Sequence, residues 1–196
     1  MNFIEQKSVL NAIYEDYERH VALFKAGAIC KPGCAFCCTH FGSVDITTIE
    51  GRIIWEWVSQ RRPDDRAALQ RKIEKNRKAK EKGAVAPCPF LKPDHTCRIY
   101  PIRPFSCRQL YSVRPCEGRG PTVHCQSREA AKKAIVQLQK LDATGYSGHI
   151  AYILYLLDQK NFRNLYCMGG FDPDLIKDFG KKHGIVINRK AHNARS

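Results

Sequence analysis

Cys30-Lys31-Pro32-Gly33-Cys34-Ala35-Phe36-Cys37-Cys38 places four cysteines within nine residues of a 196-residue chain. Six more follow, at Cys88, Cys97, Cys107, Cys116, Cys125 and Cys167. A domain of this size has no packing need for ten thiols. The N-terminus, Met1 to Lys7, has no basic stretch leading into an apolar run, so no signal peptide is expected. A cytoplasmic chain keeps its thiols reduced, and the cysteines then read as metal ligands or redox groups before disulfides.

Outward from this stretch the pattern is helical. Phe3, Ile4, Leu10, Ile13, Tyr14, Tyr17, Val21 and Phe24 recur at three- and four-residue steps, which predicts an amphipathic helix over 3–25. Gly27 and Pro32-Gly33 break it and open the first cysteine loop. Thr47, followed three residues later by Glu50, is a capping box. It starts a helix whose buried face carries Ile49, Ile53, Ile54, Trp57 and Val58, and Pro63 ends that segment. A basic helix follows over 64–82, with Asp64 and Asp65 at its start, lysines toward its end, and only Leu69 and Ile73 as apolar anchors. Residues 84–126 are rich in Pro and Gly and carry five cysteines. A short strand is expected at Arg98-Ile99-Tyr100 and a short helix near Pro104. Helices return over 127–141, with Ser127 as N-cap, and over 146–158. The expected fold is mainly α: a small helical domain around a cysteine-rich, irregular metal-binding region with at most one or two short strands. The metal-binding domain is placed at 1–160. A C-terminal extension, 161–196, has a short helix after Pro173 and a basic tail.

The formal charge is +14, which favours anionic partners without selecting among them. The basic helix could lie along a phosphate backbone or be a solvated face of the domain. No window reaches the roughly 18 apolar residues of a membrane span.

The spacing Cys34-x-x-Cys37 lets two thiolates reach one metal from a tight turn. Four soft donors suit zinc or an iron–sulfur cluster. Cys88, Cys97, Cys107, Cys116 and Cys125 supply the partners, with His124 as a nitrogen alternative. Cys30 and Cys38 are further candidates. Cys38 adjoins Cys37, and consecutive side chains diverge, so it turns to a second metal, stays free, or joins a polynuclear centre. Cys167 reads as a buried bystander. Arg98, Arg103 and Arg108 sit among the second group of cysteines. They either offset thiolate charge or hold an anionic substrate through their planar forks. His40 is the histidine best placed for a ligand or proton-transfer role.

Cys34-x-x-Cys37-Cys38, Cys88-Pro89-Phe90-Leu91, Cys97-Arg98-Ile99-Tyr100, Arg103-Pro104 and Cys107-Arg108 closely resemble the CxxCxxCC cysteine-cluster family, also called YkgJ-like. Pro115-Cys116-Glu117-Gly118-Arg119-Gly120 resembles its Cys-Pro-Gly-x-Gly segment, with Glu117 in place of proline. The gap from Cys30 to Cys34 is three residues, where the family has two. The resemblance implies zinc or iron chelation, and many members carry the label iron–sulfur oxidoreductase; the flagellin lysine N-methylases look like relatives. Cys30-x-x-x-Cys34-x-Phe36-Cys37 also looks like the cluster motif of radical S-adenosylmethionine enzymes, but those need strands alternating with helices.

The leading expectation is a cytoplasmic metal-binding protein, holding an iron–sulfur cluster or zinc, with a redox or catalytic role on an unidentified substrate. The alternatives are a zinc-stapled nucleic-acid-binding module and a metal storage or delivery protein.

Overall fold

The computed structural model describes residues 1–40 and 44–169. The expected helix after Pro173 and the basic tail lie outside the described residues. Among those described, eight helices and one two-stranded sheet form the fold. The mainly α expectation holds.

Helix α1 (Phe3–Lys25) starts at a capping box made by Asn2 and Glu5 and buries Leu10, Tyr14, Tyr17 and Val21. The expected three- and four-residue spacing is what lines these up on one face. Helix α2 (Phe36–His40) is a single turn carrying Cys37 and Cys38. Strand β1 (Asp45–Thr47) runs straight into helix α3 (Thr48–Ser59), with the expected Thr47–Glu50 capping box at the junction. Helix α4 (Pro63–Glu81) has proline in its first turn and turns Leu69, Ile73 and Asn76 inward.

Strand β2 (Ser147–His149) pairs antiparallel with β1 in the register Asp45 to His149, Ile46 to Gly148 and Thr47 to Ser147. It then becomes helix α7 (Ile150–Asp158), which is buried along most of its length. Two strand–helix units thus share one small sheet. The expected helix over 146–158 therefore begins at Ile150, because the preceding residues pair with β1. Gly51 of α3 lets α7 approach closely: a Cβ there would overlap Ile153 and lie 3.0 Å from Leu157 Cδ1.

Helix α3 separates two cores. Ile46, Ile54 and Val58 face α4 and α7, together with Phe90 and Ile99. Ile49 faces α1 and helix α6 (Cys125–Leu141), together with Phe105. The N-cap of α6 is His124, whose ring nitrogen accepts from the Gln126 N–H. Ser127, expected at that cap, is instead buried inside the first turn, with its hydroxyl 2.7 Å from Tyr111 Oη. Helix α8 (Lys160–Cys167) closes the described chain. Cys167 is exposed there, where burial was expected.

Between α4 and α6 the chain has little regular structure: a 3-10 turn at Tyr100–Ile102 and helix α5 (Phe105–Arg108). The expected strand at 98–100 does not form. The pairing is instead a single bridge between Leu91 and Cys97, and Pro101 turns the chain directly after Tyr100. Two aromatic anchors hold this region, Phe90 at 0% and Phe105 at 2% exposure. Burying each contributes about 1.5–3 kcal/mol. Each lies two residues from a cysteine, Cys88 and Cys107, so packing fixes where those thiols sit.

Candidate metal centre

Three chain segments carry the thiols to one place. Helix α2 brings Cys37 and Cys38, and the Cys38 carbonyl accepts from the Cys88 N–H at 2.7 Å. The loop from Cys88 folds back on itself, with the Arg98 N–H on the Phe90 carbonyl at 2.9 Å, which sets Cys97 beside Cys88. Helix α5 brings Cys107. Its first N–H, from Phe105, donates to Glu50 Oε1 at 2.7 Å. The Ser106 hydroxyl donates to the Asp45 carbonyl.

Cys37, Cys88, Cys97 and Cys107 interact electrostatically in all six pairings. Each of the four thiols is therefore within electrostatic reach of the other three. Burial pushes the Cys88 thiol up to about 11 and the Cys107 thiol well above the ordinary range; neighbouring thiolates push the same way. Cys97 is also raised by burial, while the Arg103 guanidinium and Lys92 ammonium pull it back. Cys37 is the exception. The Cys38 thiol, 4.0 Å away, hydrogen-bonds to it and lowers it to about 7. The same contact raises Cys38. A bound divalent ion would favour the thiolate form of all of them. Among the described residues, no three or more His, Cys, Asp or Glu side chains stand close enough together to hold a metal ion as placed. Four thiol donors are the set that suits a soft-ligand metal.

The first cysteine stretch is divided. Cys30 and Cys34 are both exposed, and Cys30 interacts with Cys34 and with Cys116. The Ile29 N–H on the Ser112 carbonyl, at 2.8 Å, ties the two loops together at that point. Burial and the neighbouring thiols raise Cys30, against a Ser112 backbone hydrogen bond that lowers it. Cys125 is exposed at the start of α6, its Sγ 4.0 Å from His124 Nδ1. The His124 ring stacks on Phe24 at 4.5 Å. His40 stacks on Phe36 and shares a hydrogen bond with Thr39 Oγ1 at 2.7 Å.

The arginines differ in what they do. Arg108 donates to the carbonyls of Arg103 and Pro101 and lies over the Tyr14 ring at 4.3 Å. It braces the turn that delivers Cys107. Arg103 stacks on Tyr100 at 3.9 Å. Arg98 is exposed beside Cys97.

Glu50 is the residue whose site role the sequence reading missed. Buried at 4% exposure, it accepts from the Tyr14 hydroxyl at 2.6 Å and from Phe105 at 2.7 Å. The capping box announced its first turn of helix, but nothing local signals the contacts to α1 and α5.

A thiol-rich metal-chelating protein is the class that this arrangement defines. The CxxCxxCC model, described as a zinc- or iron-chelating domain, matches residues 29–139, more than half of the chain, and the protein belongs to that family. No curated protein and no solved structure gives a match.

Proposed function

We propose that Cys37, Cys88, Cys97 and Cys107 hold an iron–sulfur cluster and that the protein serves a redox or catalytic role in the cytoplasm. The observation that carries this reading is the donor inventory. Four thiols would complete one centre, and Cys38 stands 4.0 Å from Cys37 as a fifth. A purely structural zinc needs four ligands and no surplus. A bound cluster supplies one-electron transfer at a potential set by nearby charge, hydrogen bonds and burial. The chain's own residues provide these terms. Arg103 and Lys92 act on Cys97, and the buried Phe90, Ile99 and Phe105 limit water around the loops. Arg98, exposed next to the same thiol, is the arginine open to an anionic substrate.

The basic helix α4 supports a nucleic-acid role less well. Arg77 is engaged with Glu74 at 2.7 Å and Glu81 at 2.5 Å, and lies over the Tyr155 ring. Among the described residues no helix is long and apolar enough to cross a membrane.

Protein purified without oxygen should contain iron and acid-labile sulfide, and show visible absorption that bleaches with dithionite. Colourless protein with one tightly held zinc would overturn the reading.

A further inference from the structure

Beside Cys37 and Cys88 lies a recess of about 10 Å³, lined also by Cys38, Asn76 and His149. That volume is close to the least that holds one water-sized species, roughly 10–15 Å³. Its polar wall is buried: Asn76 is 5% exposed and His149 3%. Asn76 spends its amide hydrogens on the carbonyls of Ala86 and Pro87, at 3.3 and 2.9 Å. That orientation leaves Oδ1 for the recess, and this oxygen has no hydrogen-bond partner. An orphaned buried acceptor costs about 1–3 kcal/mol. It points to an occupant that offers it positive charge or a proton.

The donors around the recess are chemically mixed. Cys38 is the thiol left over from the four-thiol set, and its backbone is pinned by the Cys88 N–H. His149 sits at the end of β2, opposite Asp45 in the register. Its ring is turned edge-on to Tyr152, with centroids 6.5 Å apart. It lies beyond residue 139, outside the segment that matches the metal-chelating domain.

We propose that Cys38 Sγ, the His149 imidazole and Asn76 Oδ1 form a second cation site beside the four-thiol centre. One sulfur, one nitrogen and one oxygen donor suit a borderline divalent ion, zinc or ferrous iron, better than a soft monovalent or a hard alkaline-earth ion. The second site does not depend on whether the four-thiol centre holds iron or zinc.

The test titrates the full-length protein, isolated anaerobically with its thiol centre filled, with cobalt(II) chloride. One further equivalent should bind. It should show d–d bands and a thiolate-to-cobalt charge-transfer band of single-thiolate intensity. His149→Ala should weaken that step at least tenfold while leaving the metal content and colour of the four-thiol centre unchanged. Cys38→Ala should abolish the charge-transfer band at this step, and it decides the matter if the histidine variant does not fold. No uptake beyond the filled centre means that the recess holds water, and overturns the proposal. So does a wild-type curve for Cys38→Ala, or loss of the first centre's metal in that variant. The test stands apart from the iron–sulfur reading, because the first centre's own spectrum and metal content are recorded before cobalt is added.

Discussion

Replacing Glu50 by alanine tests whether the metal centre depends on a buried hub. Four donors converge on this carboxylate: the Tyr14 hydroxyl at 2.6 Å, the Phe105 N–H at 2.7 Å, the Thr47 N–H at 2.8 Å and the Thr47 hydroxyl at 3.0 Å. They join α1, the β1–α3 junction and α5. Alanine leaves the two backbone N–H groups and the phenol without their acceptor. Each buried unsatisfied donor costs about 1–3 kcal/mol. The threonine hydroxyl can rotate to another acceptor, and a water can enter the space left by the side chain. The net loss is on the order of 4–6 kcal/mol, against a total stability of about 5–15 kcal/mol for an ordinary domain. Glutamine keeps one oxygen for Tyr14 and Phe105 but turns an NH₂ toward Thr47. Its cost should be about half. Urea unfolding followed by circular dichroism, at fixed metal loading because bound metal adds its own stabilisation, measures both. The second readout is metal retention against a chelator, which should fall in the alanine variant because Phe105 opens the helical turn that carries Cys107. An alanine variant that loses less than about 1 kcal/mol, or a glutamine variant as damaged as the alanine one, would refute the hub.

Gly51→Ala gains helix propensity of about 1 kcal/mol but forces a methyl into Ile153 and Leu157; a net destabilisation of about 1–3 kcal/mol is expected by thermal unfolding. Serine at Cys37, Cys88, Cys97 or Cys107 should each strip most metal from the inner centre, whereas serine at Cys30, Cys34 or Cys116 should leave it filled; metal content by elemental analysis separates the two sets. Asp142 is buried and raised from 3.8 to about 7, mainly by desolvation and against hydrogen bonds from Tyr166 and the Ile49 N–H. The unfolded chain therefore loses this proton first, so stability is greatest below about pH 4 for this group and falls as pH rises toward 7. The span is on the order of 4 kcal/mol at about 1.4 kcal/mol per pH unit; Asp142→Asn should flatten that part of the urea-stability profile.

What the sequence made legible follows the range of the forces involved. Periodicity and caps act within a few residues, so α1, the Thr47–Glu50 box and the start of α4 could be read directly. The β2 strand could not, since Ser147-Gly148-His149 has little strand character of its own and extends only because Asp45 to Thr47 lies alongside. The His124 cap was missed for a related reason: Ser127 is the better local capping residue, but its hydroxyl is held by Tyr111 from the irregular region. The thiols show the same division on a larger scale. Spacing placed Cys34 and Cys37 together as the firmest pair, as though one turn must serve one metal. In the fold the chain passes from an exposed loop into α2 between them. Cys34 interacts with Cys30, and Cys37 interacts with Cys88, Cys97 and Cys107. Between them lies Ala35, buried at 6% exposure, whose carbonyl accepts from the Cys38 and Thr39 N–H groups and so begins the turn of α2. A residue too small to register in any motif thus anchors the turn that carries Cys37 and Cys38.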